Sequence, residues 1–274
     1  MSFDIKQLQK CQFELLKELK RVCYTNGIQF FLAYGSCLGA IRHSGFIPWD
    51  DDIDVCMTNE DFEKLKKSAG EFAPGFFLQT HETDRGYGLM IGRLRNSETT
   101  LIENDESDRD INHGVFIDIY PLFNSPKNKI NRRKYIVFSM IYRLLLYGEV
   151  PKNHGKVMKM GSMVLLKVIP FKLREKLIKY AYKVISGCEV TGEVSTFYGD
   201  EVSVNYKVEK LFPVKEVMFE GELMPVPSDA DEYLKFTYGD YMQLPPEEKR
   251  VVHHNYKLVD LNCGYQKYKG TLYC

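Results

Sequence analysis

Four carboxylates fall within five residues at Asp50, Asp51, Asp52 and Asp54, in the run Trp49-Asp-Asp-Asp-Ile-Asp-Val-Cys-Met57. In an extended strand successive side chains alternate between faces, so Asp52 and Asp54 point one way and Ile53 and Val55 the other. Two carboxylates on one face repel each other unless a cation lies between them. A hard divalent ion with oxygen ligands is the natural occupant. Mg²⁺ is expected, as one or two ions, with Mn²⁺ as the alternative. Such an ion also binds phosphate oxygens, which points to phosphoryl chemistry on a nucleotide or a related diphosphate.

Two plainer readings compete. Charge runs are ordinarily solvated turns, and Asp50, Asp52 and Asp54 occupy the first, third and fifth positions of an EF-hand loop. The calcium reading fails at its sixth position, where Val55 stands for the required Gly, and at its twelfth, where Asp61 stands for the usual Glu. Against a solvated turn stand Pro48 and Trp49, the chain's one Trp, and the interleaved Ile53, Val55 and Met57. An apolar run, Phe30 to Ala33, also leads into a small-residue turn at Gly35-Ser36.

Asp118 sits among Val115, Phe116, Ile117 and Ile119. A charged carboxylate in so apolar a strand costs several kcal/mol if unpaired, and a metal shared with Asp52 and Asp54 would compensate it. Gly35 permits close backbone approach, and N–H groups around Gly35 and Ser36 at a helix start would suit a phosphate. Arg42 would either contact a phosphate bidentately or neutralise the acidic run from the side. His43 reads as surface. Asp50 is expected behind the metal ligands, orienting the strand or a metal-bound water.

The longer string Gly35-Ser-Cys-Leu-Gly-Ala-Ile-Arg-His-Ser-Gly-Phe-Ile-Pro-Trp-Asp-Asp-Asp-Ile-Asp54 resembles the LicD family of phosphocholine transferases, a family related to fukutin-related protein and to the nucleotidyltransferase superfamily. Phe116-Ile-Asp-Ile-Tyr-Pro-Leu122 and the tail from Tyr238-Gly-Asp-Tyr241 to His253-His254 match as well, so the resemblance covers about residues 1–125 and 210–256. It implies an α/β (α+β) fold: a nucleotidyltransferase-like mixed sheet with packed helices and a helical insertion. It implies CDP-choline, or a related CDP-alditol, as donor. The acceptor would be a hydroxyl of a cell-surface glycan (lipopolysaccharide or teichoic acid) or of its lipid-linked precursor, and CMP would leave. Asp52, Asp54 and Asp118 would be the catalytic metal ligands, and Asp118 would take the hydroxyl proton. Gly35, Ser36, Arg42, Trp49, Asp50, Arg93, Arg250 and His253 would line the substrate site. For Arg93 an ion pair with nearby acids is the equal alternative. Two other functions remain open: nucleotidyl transfer to a small molecule or protein, and a non-catalytic binding module.

These residues need elements to place them. Apolar spacing predicts a helix over 4–25, capped by Asp4 and stopped by Asn26-Gly27. A strand over 28–33 and a short helix to Arg42 follow. Asn59 is expected to cap a helix over 60–72. Strands are expected at 76–80, 89–95, 99–103 and 114–122, helices at 130–147, 153–168 and 171–186, a hairpin over 218–226 and a helix over 230–238. Residues 188–215 and the last 15 carry no pattern. The expected division is a catalytic core over 1–125, a basic helical lobe over 126–190 and a segment over 191–274 that completes the site.

Zero net charge over 274 residues names no partner, but its distribution is uneven. Residues 50–118 hold 17 acids and 7 Lys and Arg, whereas 127–183 hold 2 acids and 15 Lys and Arg. Either that basic stretch is a helical lobe with a solvated Lys face, or it contacts anionic lipid or a lipid-linked acceptor through 130–187. No nucleic-acid partner is expected. Seven scattered Cys without C-x-x-C suit reduced thiols, with Cys37 and Cys56 as small core residues. The N-terminus has no signal-peptide pattern and no apolar run is long enough to span a bilayer. A cytoplasmic protein is expected, with peripheral membrane contact as the sharper reading of the basic lobe.

Overall fold

The computed structural model describes residues 3–148, 160, 163, 166–196, 204–252 and 254–274, so most of the helix expected over 153–168 lies outside the described residues. It opens with α1 (Ile5–Thr25), whose Asp4 side chain accepts from the Lys6 N–H at 2.9 Å and so satisfies one of the unpaired donors of the first turn. Leu8, Leu15, Leu16, Leu19 and Val22 form its buried stripe, and Gln9 and Gln12 lie in the same stripe. Gly27, at φ +63°, turns the chain out of the helix.

The chain falls into two compact units, one of residues 1–86, 91–121 and 208–274, the other of residues 87–90 and 122–207. The first is built on a curled sheet. Its strands are β1 (Phe31–Leu32), β2 (Asp54–Thr58), β3 (Phe76–Gln79), β4 (Gly92–Asn96) and β6 (Val115–Asn124), side by side in the order β1-β2-β6-β4-β3. Register sets Phe31 opposite Cys56 and Arg93 opposite Asp118 in antiparallel pairs. The Asp118 N–H donates to the Ile53 carbonyl at 2.9 Å, tying β6 to the acidic run. Residues 115–123 of β6 are buried without a break, which its central position between β2 and β4 explains. Apart from this sheet, β5 (Thr100–Glu103) pairs antiparallel with β11 (Tyr256–Asp260) and brings the end of the chain to the site. A hairpin of β9 (Lys215–Phe219) and β10 (Glu222–Val226) precedes α7 (Ala230–Tyr238), which Asp229 caps.

The expected α+β architecture is present, with local differences. The first strand is only two residues, because the Ala33 N–H bonds the Asp54 carbonyl and α2 (Tyr34–His43) begins at once. Asp52 and Ile53 precede the ladder of β2 rather than lying within it. Thr58, not Asn59, caps α3 (Asn59–Lys67): its extended backbone lets Oγ1 accept from the Asp61 N–H at 3.1 Å. A separate 3₁₀ turn follows over Ala69–Glu71. Residues 188–215 hold β7 (Glu193–Ser195), β8 (Tyr206–Lys207) and α6 (Val208–Leu211), elements too short to leave a periodic signal.

The second unit packs α4 (Lys129–Tyr147) against α5 (Phe171–Ser186) around Phe123, Tyr135, Tyr142, Ala181 and Ile185. Asn128 caps α4 by accepting from the N–H groups of Ile130 and Asn131, and Gly148, at φ +70°, ends it. No helix among the described residues is long and apolar enough to cross a membrane.

Within the first unit, α2 is pressed onto the loop that follows it. A Cβ on Gly39 would stand 2.5 Å from the Gly45 carbonyl and 3.2 Å from the Ile47 nitrogen, both backbone atoms that cannot step aside. Gly39→Ala is therefore expected to destabilise the fold by about 1–3 kcal/mol, as overpacking does. A lowered urea midpoint at unchanged m-value would show it, whereas an unchanged midpoint would contradict the close approach.

Candidate active site

The acidic run enters the core by way of a turn closed by the Asp50 N–H and the Ile47 carbonyl at 2.9 Å. Two amide side chains of α1 hold it there. Gln9 Nε2 donates to the carbonyls of Ile47 (3.2 Å) and Asp50 (2.8 Å), and Gln12 Nε2 donates to the carbonyl of Asp51 (2.8 Å). The Gly-Ser turn grips the other end, since Ser36 Oγ accepts from the Asp54 N–H at 2.9 Å. Gly35 is small for a specific reason: a Cβ there would lie 2.6 Å from Asp50 Oδ2. The close approach that Gly35 permits is thus to a carboxylate of the same chain. Tyr34, just before it, sits at φ +45°, a conformation that costs a non-glycine residue about 1–3 kcal/mol.

Asp50, Asp52, Asp54 and Asp118 are close enough to perturb one another. Burial, then the charges of Asp52, Asp118 and Asp50, push the Asp54 carboxyl well above its usual range, against a hydrogen bond from Tyr120. Burial and the neighbouring Asp52 carry Asp50 up to about 8. Burial also raises Asp118, opposed by Arg93. The Tyr238 hydroxyl is raised by burial and by Asp54, Asp50 and Asp52, which places it over the same group. Asp54 Oδ1 is buried and has no hydrogen-bond partner among the described residues. Carboxylates that repel one another beside a buried oxygen without a hydrogen-bond partner among the described residues suit a hard divalent cation, although the ligand atoms that lie within 4.8 Å of one another belong to a neighbouring group.

Asp118 also has a protein partner. Arg93 Nε donates to Asp118 Oδ1 at 2.8 Å, and its Nη1 reaches Glu103 (2.7 Å) and Glu106 (2.9 Å). Its guanidinium lies 3.8 Å from the centre of the Phe116 ring. Arg95, fully buried, donates to Gln79 Oε1, the Gly114 carbonyl and Glu106. The alternation that projects Arg93 and Arg95 to one face is present, and both are spent on ion pairs and core hydrogen bonds. Compensation for Asp118 therefore starts with Arg93.

Two further candidates emerge from the structure: Asp51, which the sequence pattern does not single out, and His254, where His253 represents the pair in the sequence reading. Asp51 is fully buried, and His254 Nδ1 lies 3.1 Å from its Oδ1 while Nε2 is 3.9 Å from Asp52 Oδ2. Asp51, Asp52 and His254 offer three ligand atoms all within 4.8 Å of one another, a group able to hold a metal ion. The Asp51 hydrogen bond lifts His254 to about 9 in spite of burial. An ion there would compete with that proton, because only neutral imidazole ligates. Strand alternation hid Asp51, since the run is irregular until Asp54. For the pair His253-His254 no periodicity favours one ring over the other, and His253 lies outside the described residues.

The remaining candidates have contacts of their own. Trp49 is half-buried, with the Arg250 guanidinium 5.6 Å from its ring and His43 edge-on at 6.4 Å. Arg250 Nε also donates to the Pro245 carbonyl at 2.9 Å. Arg42 donates to the Tyr241 carbonyl at 2.7 Å and so anchors the segment after α7.

Residues 27–142 match the family model described as LicD/FKTN/FKRP, nucleotidyltransferase domain. The chain is 28% identical over 267 residues to the lipopolysaccharide cholinephosphotransferase LicD of Haemophilus influenzae, covering 91% of this chain and 96% of that protein. It is 27% identical over 124 residues to human ribitol 5-phosphate transferase FKRP, covering 44% of this chain and 22% of that protein. An uncharacterized protein of Rickettsia prowazekii is 35% identical over 77 residues, 28% of each chain. The resemblance expected from the Gly-Ser and Trp-Asp-Asp-Asp-Ile-Asp strings is borne out.

Arg93 and Arg95 pull Glu106 down to about 2 against the upward push of burial. A depressed carboxylate contributes stability that is present above its unfolded value near 4.5 and is lost as pH falls through the folded one. Glu106→Gln should therefore be less stable than the parent at pH 7, by roughly 3 kcal/mol at most. The gap should close between about pH 5 and pH 2. Urea midpoints of the two proteins across that range test it, and a gap independent of pH would contradict it.

Proposed function

We propose that this chain, whose residues 27–142 form a LicD-family domain, transfers a phosphorylated headgroup from a CDP-activated donor to a glycan hydroxyl and releases CMP. The headgroup we assign first is phosphocholine, from CDP-choline, since the relative matched along nearly its whole length is named a cholinephosphotransferase. The acceptor would be a cell-surface glycan or its lipid-linked precursor. The observation that carries the reading is the mutual electrostatic influence of Asp52, Asp54 and Asp118, together with a buried Asp54 oxygen that has no hydrogen-bond partner among the described residues. The match to a ribitol 5-phosphate transferase keeps CDP-ribitol as the second donor.

In this reading Asp52, Asp54 and Asp118 would hold Mg²⁺, or Mn²⁺, which would supply positive charge to offset the diphosphate and the leaving oxygens. The chain's own residues supply position. Ser36 and the α1 glutamines hold the acidic run in place, and Arg93 fixes the Asp118 carboxylate. The protonated His254 offsets the charge of Asp51 and steadies Asp52. Trp49 and Arg250 offer a flat aromatic and cationic surface for the donor. The acceptor hydroxyl attacks the distal phosphorus in line and its proton passes to Asp118.

Two measurements test this. Mg²⁺-dependent CMP release from CDP-choline, CDP-ribitol and CDP-glycerol, with a glycan-lipid extract as acceptor, should be seen with one donor. Asp54→Asn should lower it at least about 10³-fold, equivalent to about 4 kcal/mol of transition-state stabilisation. Label from the nucleoside appearing on the acceptor would instead establish nucleotidyl transfer. Separately, Mg²⁺ in large excess over its Kd should raise the Tm by about 5–10 °C. Asp54→Asn should be at least as stable as the parent without metal and lose that increment. A parent Tm indifferent to Mg²⁺ and Mn²⁺ would remove the metal from the proposal.

A further inference from the structure

The helical pair of the second unit has a face that phosphoryl transfer leaves unused. α4 buries Tyr135, Ser139, Tyr142 and Leu145 along one side. On the other side runs a second apolar stripe, Ile130, Val137, Met140 and Tyr147, which are 77%, 51%, 43% and 39% exposed. Helical spacing puts these four on one face, with Arg133 and Lys134 among them. α5 repeats the pattern with exposed Leu173 and Tyr180, seven residues apart, between lysines. Phe138 of α4, which packs against the core between the helices, meets the ring of Tyr180 edge-on at 5.6 Å, so Tyr180 lies beside that seam.

A water-facing side of a helix is normally polar, and contiguous exposed apolar side chains mark a contact surface. Charge selects the partner. α4 carries five Lys and Arg and no acid, and α5 carries five and one acid, Glu175. Two copies of such a face would bring cation against cation. An anionic bilayer meets both demands: apolar side chains enter below the headgroups, and Lys and Arg stems extend along them to place charge at phosphate level. We propose that this exposed face of α4 docks on an anionic phospholipid membrane surface.

The test is flotation of the full chain with vesicles of phosphatidylcholine alone and of phosphatidylcholine mixed with phosphatidylglycerol. Binding to the anionic vesicles is expected, weakening steeply with added salt, with none to the neutral ones. Arg133→Glu combined with Lys134→Glu should lower partitioning at least about tenfold. Val137→Asp combined with Met140→Asp should lower it comparably at low salt, and both double variants should keep the parent's circular dichroism and its CMP release without vesicles. Should either variant misfold, the salt titration of the parent still decides. No flotation at low salt, or equal flotation with neutral and anionic vesicles, would overturn the proposal. So would a self-associated parent that Val137→Asp with Met140→Asp makes monomeric while vesicle binding persists, since the face would then belong to a second copy.

Discussion

Mutual repulsion among Asp50, Asp52, Asp54 and Asp118 is the interaction to which the first unit is fitted. Two unit charges about 4 Å apart at an effective dielectric near 20 oppose each other by about 4 kcal/mol, and here burial adds to that repulsion. The surrounding groups answer it without adding a negative charge at the centre. Gln9 and Gln12 hold the backbone through amide donors, Ser36 holds it through a hydroxyl, and Gly35 leaves room for a carboxylate. Basic side chains stand at the sides, the Arg93 guanidinium against Asp118 and the His254 imidazole against Asp51. Asp54 Oδ1 at the centre is buried with no hydrogen-bond partner among the described residues. Positive charge brought to such a centre would stabilise it, which links its electrostatics to the stability of the fold.

Much of this could be read from residue order. The 3.6-residue stripe located α1, apolar runs beside Lys and Arg between prolines located α4 and α5, the Gly-Ser turn before an acidic run located α2 and β2, and an acid within an apolar strand located β6. Other parts rest on contacts between residues far apart in sequence. Gln9 and Gln12 occupy stripe positions that normally take apolar residues. That oddity was a signal, but the partner loop some 40 residues later was not visible from it. Period-two alternation singled out Asp52 and Asp54 and passed over Asp51, because the chain is not yet a strand there. Arg93 could be placed on a face but not paired, since β4 meets β6 only once the sheet forms. The short elements between residues 193 and 211 are set by neighbours rather than by pattern.

Matter and cover divide along the chain. The segment matched by the LicD/FKTN/FKRP family model holds the acidic run, Arg93 and Asp118, while Tyr238, Arg250 and His254 come from beyond it. The later residues reach the acids because β11 pairs with β5 and Arg42 anchors the segment after α7.

The pairing of Asp51 with His254 spans 203 positions. A chain made from its N-terminus at about 5–20 residues per second has its acids exposed for about 10–40 s before the histidine exists. During that interval the Gly-Ser turn and the α1 glutamines, and then Tyr120 and Arg93 once they are made, are in place to steady the acidic run. The order in which this protein is synthesised thus lets the acidic centre assemble on its N-terminal supports and receive its histidine last.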